Sequence, residues 1–297
     1  MEWTTLIRQT IDYVEAHLLE ELDMDEVAEQ VNISPFYLQK GFHVMTGYTM
    51  GQYIRNRRLY LAALDIIADR EKIIDLAYKY GYETPESFTK AFRRFHGASP
   101  VQVRSEHSHI QVFLPLTIHI EIQGGNRMKY EVEKKKGFRV IGFQRIFEFN
   151  SSYREIPHFW DKIYCDVIAP MMKKEQPETE TEKVIRDCKI GMFGVCVDDL
   201  DEKGKFRYLI AGEYKGGEVP EGMTVYEFPE LEWAKLSCCG PMPGSLQSVN
   251  HQIFNEWLPG NKEYTIAMGA NIEWYSPEGK TSDADYQSAI WIPVKRI

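Results

Sequence analysis

The sequence predicts a multidomain chain, with an all-α N-terminal domain followed by an α+β C-terminal domain. The first holds two helix-turn-helix units joined by a long helix, the second two βαββ-type repeats. Three observations carry this. The 297 residues allow about two domains at roughly 150 each, and 43% hydrophobic with 27% charged residues suffices for buried cores. Apolar residues recur at three and four positions through the first hundred residues. Beyond about residue 128 the period shortens to two, the mark of strands.

Ile7, Ile11, Val14 and Leu18 form the apolar stripe of a first helix. A shorter helix over Asp25–Val31 breaks at Asn32-Ile33. Ser34 then caps a third helix, with Pro35 at its first position, where a missing N–H costs nothing. Leu38, Phe42 and Met45 face inward and Gly47 ends it. The same grammar returns further on: Asp75-Leu76-Ala77-Tyr78, a turn at Gly81, a Thr84 cap, Pro85, inward Phe88, Phe92 and Phe95, and a stop at Gly97. The offset is 49 residues before the turn and 50 after it. Thr49 to Ala68 forms the joining helix, with Tyr53, Ile54, Leu59, Ala62 and Ile66 inward and Arg55, Arg57 and Arg58 displayed. Two helix-turn-helix units in tandem are far more specific than one.

Charge is divided unevenly. The formal net charge of −9 argues against a nucleic-acid partner if taken whole. Residues 1–31, however, hold one basic and nine acidic side chains, 32–104 eleven basic and six acidic, and the remainder 23 and 29. The basic middle block calls for an anionic partner. With the apolar residues inward, the third helix shows Phe36, Gln39, Lys40 and His43. Its twin shows Glu86, Ser87, Thr89, Lys90, Arg93 and Arg94. Such side chains suit the major groove, reading base edges or gripping phosphates. Two reading helices about 34 Å apart would enter successive grooves from one chain. The expectation is that Gln39/Lys40 and Lys90/Arg94 project outward together.

Residues 8–104 resemble the DNA-binding domain of AraC-family bacterial regulators. The stretches that carry the likeness are Gly47-Tyr48-Thr49-Met50-Gly51-Gln52-Tyr53-Ile54-Arg55 and Phe92-Arg93-Arg94-Phe95-His96-Gly97-Ala98-Ser99-Pro100, with Arg104 after them. The resemblance implies sequence-specific binding of double-stranded DNA and activation of transcription, with RNA polymerase as a further partner. It places Phe36, Gln39, Lys40, Glu86, Ser87 and Lys90 where family members contact bases. The acidic start Pro85-Glu86 departs from the pattern, so base preference does not transfer.

The second half alternates. A connecting strand is expected over Val112–Gln123, with a flexible joint at Gly124-Gly125-Asn126. Strand pairs are expected around Lys135-Lys136-Gly137 and around Pro229-Glu230. Each precedes an amphipathic helix, one with Phe159, Trp160, Ile163 and Tyr164, the other with Val249, Ile253, Phe254 and Trp257. Two more strands follow each helix, Ile190–Val197 with Phe206–Tyr214, then Tyr264–Tyr275 with Ala289–Lys295. Two sheets meeting in a pseudo-twofold would leave a groove. Glu273 and Tyr275 with Trp160, Tyr208 and Trp233 are its expected ligand residues. A carboxylate among aromatic rings suits an organic cation; equally, aromatics at strand spacing fit a plain core.

Residues 128–297 resemble the GyrI-like effector-binding domain, through Phe206-Arg207-Tyr208, Gly212-Glu213, Phe228-Pro229, Trp233-Ala234, Glu256-Trp257-Leu258-Pro259, Ile272-Glu273-Trp274-Tyr275 and Ile292-Pro293-Val294. Glu273 matches the glutamate this family places in its groove. The resemblance implies a lipophilic or cationic small-molecule effector. The expected organisation is a DNA-binding domain over 1–107, a linker over 108–127 and an effector-binding domain over 128–297.

The function expected is a transcription activator modulated by that effector. One alternative is control by protein contact with an empty groove; another is a GyrI-like hydrolase acting on small electrophiles. No Gly-x-Ser-x-Gly, His-Glu-x-x-His or P-loop signature supports catalysis, so no enzyme, cofactor or metal is expected. The five cysteines match no metal spacing and read as reduced thiols of a cytoplasmic bacterial protein, nucleoid-associated when DNA-bound. No signal segment or membrane span is expected, and either a monomer or a dimer is compatible.

Overall fold

A computed structural model describes residues 3–69, 71–106, 110–118 and 130–297. Helix α1 (Trp3–Ala16) buries Ile7, Ile11 and Val14, as the spacing predicts. Helix α2 (Met24–Gln30) is capped by the Asp23 carboxylate. Helix α3 (Pro35–Thr46) begins at Ser34, whose hydroxyl accepts the Tyr37 N–H, and ends at Gly47 with φ 77°. Its twin α6 (Pro85–His96) repeats this with Thr84, Pro85 and Gly97 at φ 80°. Only glycine enters that left-handed region without strain. Between them, α4 (Met50–Ala68) opens on a Thr49/Gln52 capping box, and α5 (Ile73–Lys79) leads to the second turn. Helix α7 (Pro100–Glu106) closes the second unit.

The two units are buried differently. The second closes on itself, with Leu59, Ala62, Ile66, Leu76, Phe88 and Phe92 in a core of its own. The first does not. Its core residues Trp3, Phe36, Tyr37 and Phe42 run on into those of the second half, through Phe149, Phe206 and Phe254. Arg57, expected on display, is 5% exposed. Its guanidinium grips both Glu15 oxygens at 2.7 Å, because α1 crosses the face of α4 that carries it. Arg58 likewise turns inward to the Leu18 and Glu20 carbonyls.

Residues 110–118 lie in no strand, against the expectation for Val112–Gln123. They run across both units. The Phe113 carbonyl accepts from Arg57 Nη1 at 2.6 Å, and the Gln111 N–H donates to His96 Nδ1 at 3.1 Å. These bonds satisfy the backbone in place of a strand partner. Residues 119–123 and the joint at Gly124-Gly125-Asn126 lie outside the described residues.

In the second half β1 (Tyr130–Lys135) and β2 (Phe138–Glu148) precede α8 (Phe149–Ile163), a π-helical turn (Tyr164–Ile168), α9 (Ala169–Met172) and α10 (Glu180–Asp187). Strands β3 (Phe193–Val197) and β4 (Lys205–Glu213) complete the first repeat. The second runs β5 (Thr224–Phe228), β6 (Leu231–Cys239), α11 (Gly244–Gln252), a π-helical turn (Ile253–Trp257), α12 (Leu258–Gly260), β7 (Tyr264–Ile266), β8 (Ala270–Tyr275) and β9 (Gln287–Arg296). The first repeat has the predicted order strand-strand-helix-strand-strand; in the second the strand expected over Tyr264–Tyr275 is divided into β7 and β8. Each π turn immediately precedes a proline-bearing helical turn, with Pro170 or Pro259. A proline ring clashes with the carbonyl four residues back, and a wider turn relieves the clash.

Instead of two sheets, the nine strands described form one antiparallel sheet, ordered β1-β6-β9-β8-β3-β4-β2-β5 with β7 also on β9. Strands joined by the short turns are not partners. β1 pairs β6 and β2 pairs β5, so the repeats exchange their leading strands across the pseudo-twofold. The sheet curls until Phe228 of β5 meets Trp233 of β6 at 5.3 Å, and the buried residues of that face all come from strands. The helices cover the other. Among the described residues, no helix is long and apolar enough to cross a membrane.

Candidate DNA-reading faces and effector cleft

On α6 the predicted face is open. Glu86, Ser87, Lys90, Arg93 and Arg94 are exposed and Thr89 is half-buried, while Phe88 and Phe92 are fully buried. Glu86, Thr89, Lys90, Arg93 and Arg94 line one shallow surface hollow. The Ser87 hydroxyl donates back to the Thr84 carbonyl at 2.8 Å, so it braces the helix start.

On α3 the expectation fails. Phe36 is 2% and Gln39 7% exposed, and Lys40 and His43 are half-buried. The two reading surfaces therefore do not project outward together; the effector half covers the first. Phe36 lies 5.9 Å from Phe149 and 5.7 Å from Phe206, ring centre to ring centre. Its N–H donates to Asp198 Oδ2 at 3.1 Å, at the positive end of the helix. The Tyr37 hydroxyl donates to the Ala270 carbonyl, Lys40 Nζ to Asn271 Oδ1 at 3.1 Å, and the His43 ring lies 3.8 Å from that of Tyr153, tilted by 35°. The physical reason is the composition of the face itself. Burying one aromatic ring such as Phe36 gains ~1.5–3 kcal/mol, and the second half offers an aromatic cleft to receive it. Gln39 is the misfit, because its Nε2 is buried without a partner among the described residues. Such a donor costs ~1–3 kcal/mol.

Two groups in this contact titrate in opposite senses. Burial raises the Asp198 carboxyl to about 6, with Asp25 and Asp199 adding to the rise and the Phe36 N–H opposing it. Burial holds His43 below its ordinary value. A raised carboxyl makes the docked state bind its proton more tightly than the released state, so this term strengthens docking as pH falls through about 6. A lowered histidine does the reverse, and its term is lost as pH falls below the free-histidine value. Hydrogen exchange of the α3 amides, corrected for intrinsic rates, should therefore rise on going from pH 7 to 5 in Asp198→Asn. It should fall over the same interval in His43→Gln. Parallel responses in the two variants would contradict the assignment.

The cleft is built around β8. Strand alternation puts Asn271, Glu273 and Tyr275 toward the helices, and Ile272 and Trp274 toward the sealed face. Glu273 Oε2 accepts from the Tyr275 hydroxyl at 2.9 Å and from the Tyr208 hydroxyl at 3.4 Å. Trp160 Nε1 donates to the Tyr208 oxygen at 2.7 Å. Gly194, opposite Glu273 in the ladder, makes room for this relay: a Cβ there would sit 2.4 Å from the Tyr208 oxygen. Burial, then the Glu273 charge, pushes both phenols well above their usual value, so they remain donors. Trp160 and Tyr275 separate the carboxylate from a cavity of about 900 Å3, walled also by Tyr164, Met171, Met172 and Met242. Flexible thioethers and rings make a wall that adapts to bulky apolar guests.

Four of the five predicted ligand residues are thus assembled. Trp233 is the exception. It is fully buried on the sealed face against Phe138, Phe228 and Trp291, because β6 turns that side of the strand away from the helices. Tyr153, Cys196 and the cavity methionines were not anticipated, since their helices and strands meet only in the fold. Asn271 shared the Glu273 face by period but gave no sign of its partner. Among the described residues, no cluster of ligating side chains could hold a metal ion.

Comparison with known proteins follows the same division. The profile described as "Integron-associated effector binding protein" matches residues 131–294, and a helix-turn-helix domain profile matches 27–106. Regulatory protein SoxS of Salmonella typhimurium is 35% identical over 104 residues, which are 35% of this chain and 97% of SoxS. Transcriptional regulator Rob of the same organism is 32% identical over 120 residues, covering 40% of this chain and 42% of Rob. The structure of SAV2435 bound to tetraphenylphosphonium aligns with 57% of this chain and 94% of its own, at 22% identity and a TM-score of 0.45.

Proposed function

The chain belongs to the integron-associated effector-binding protein family through residues 131–294 and carries an AraC-type, SoxS-like helix-turn-helix domain, and on that premise we propose a transcription activator modulated by a lipophilic or cationic small molecule. The regulator reads double-stranded DNA first with α6, using Lys90, Arg93, Arg94 and Glu86, and with the α3 residues Phe36, Gln39, Lys40 and His43 once that helix is free. The cavity beside Trp160 and Tyr275 takes the apolar body of the effector, and Glu273 its charge. The chain acts without catalysis or cofactor, and RNA polymerase is the partner that reads the outcome. Two reading helices per chain allow a monomer to bind.

The observation that carries this is the basic face of α6. No ion pair among the described residues engages Lys90, Arg93 or Arg94, all of them exposed, so the face is left for phosphate and base edges. Selection of bound fragments from random duplex DNA supplies the test, with and without a panel of lipophilic cations. A single enriched motif is expected; unselective recovery would defeat the reading. On the selected site Lys90→Ala should weaken binding by ~1–3 kcal/mol and relax preference at one or two base pairs. A loss uniform across sequences, with the salt slope reduced by about one, would assign Lys90 to phosphate instead.

A further inference from the structure

The covered recognition helix sits in the effector half as a guest would. Helix α3 packs against α8, α11 and the π turn after α11, so it lies in the same helical layer that walls the effector cavity. Gly41 gives it the closeness this needs: a Cβ there would stand 2.9 Å from Phe254. Lys40 reaches over the sheet to Asn271, which is 1% exposed. Asn271 and Glu273 share a face of β8, about 7 Å apart at ~3.3 Å rise per residue. Cys196, paired with Asn271 across the ladder, lies fully buried within electrostatic reach of both Lys40 and Glu273. Ammonium and carboxylate thus approach the same face of the sheet, each within electrostatic reach of the Cys196 thiol.

Taking the cleft as an effector site, as proposed above, we infer that Lys40 is a built-in occupant of its cation-accepting end, so that a cationic effector and the docked recognition helix compete for one place. The effector enters past Trp160 and Tyr275 and brings its charge to Glu273. Lys40, held at Asn271 two residues along β8, is then a nearby like charge in a partly desolvated site; for charges on the order of 7 Å apart such repulsion is worth on the order of 30-fold in affinity. The docked helix has little margin against this, because Gln39 Nε2 and Asn271 Nδ2 are already buried without partners among the described residues. Effector binding releases α3, and its Phe36, Gln39 and Lys40 become available to DNA. The ligand shifts the equilibrium because it favours one state, and the shift is reciprocal: DNA that holds α3 tightens effector binding.

The experiment uses the full-length protein, tetraphenylphosphonium as the cationic probe and triphenylphosphine oxide as a neutral one. Calorimetry should find Lys40→Met binding the cation about 30-fold more tightly than the parent, with the neutral probe changed less than about threefold. Saturating cation should speed hydrogen exchange in α3 of the parent while leaving α6 unchanged. Asn271→Ala, which removes the Lys40 anchor and lies outside the DNA-reading set, should speed α3 exchange with no ligand present. It also decides the matter should Lys40→Met fail to fold. Equal cation binding by parent and Lys40→Met, or α3 exchange unmoved by saturation or by Asn271→Ala, overturns the competition and leaves the effector reading standing. No cation binding by either protein, with DNA binding intact, removes the cationic-effector reading and the competition with it.

Discussion

Arg57→Met should cost the DNA-binding half about 3–5 kcal/mol, read as a lower urea midpoint with the slope unchanged and as loss of operator binding. The size follows from what the side chain joins. Its Nε and Nη2 each meet a Glu15 oxygen at 2.7 Å, Nη1 meets the Phe113 carbonyl at 2.6 Å, and Glu15 Oε1 also accepts from the Tyr53 hydroxyl at 2.6 Å. One guanidinium therefore ties α1, α4 and the 110–118 segment. Methionine fills the space of the stem but leaves the Phe113 carbonyl without its donor and the Glu15 carboxylate with only the Tyr53 hydroxyl. The Glu15 side chain keeps 21% exposure, so water recovers part of the loss and the lower end of the range is expected. Arg57→Lys keeps the charge and loses the fork, and should fall between. A shift under about 1 kcal/mol for the methionine variant would mean this node is a surface pair in effect.

Phe254→Ala should act in the opposite direction on DNA binding, raising affinity for the selected operator by roughly 10- to 100-fold without effector. Phe254 is 1% exposed, 5.4 Å from the Trp3 ring and 6.5 Å from that of Tyr37. It is the point where the second π turn holds the first helix-turn-helix unit. Truncating a buried phenyl costs ~3–5 kcal/mol. The share that falls on docking, ~1.4–2.8 kcal/mol, converts to the stated range. The substitution touches no residue of either reading face. Unchanged affinity, with α3 exchange also unchanged, would show that Phe254 does not hold the helix.

These two residues separate what can be read from sequence from what cannot. Phe254 was legible as part of an amphipathic helix stripe, and Arg57 as a basic residue of the joining helix. Neither partner was legible, because Glu15 and Trp3 lie dozens or hundreds of positions away. The caps at Ser34 and Thr84, the prolines after them and the stops at Gly47 and Gly97 were readable because each acts within four residues of itself. The strand order was not. Turns at Lys135-Lys136-Gly137 and Pro229-Glu230 mark where strands end, but β1 pairs β6 and β2 pairs β5. Pairing depends on which apolar faces meet, and two similar repeats offer each strand two near-equivalent mates.

The sequence by itself determined the twin helix-turn-helix units, the two α+β repeats, the exposed basic face of α6 and the position of Glu273 on the helix-covered face of β8, since propensity, capping and periodicity are local. Tertiary structure alone decided that α3 is covered, that Trp233 belongs to a sealed face and that Lys40 meets Asn271. Helical period says which side of α3 is turned from its own domain; it says nothing of what else comes to lie there. Phe36 and Lys40 suit a DNA groove and a protein cleft by the same chemistry, apolar contact and hydrogen bonding to an acceptor. Only the arrangement of the second half in space selects between them.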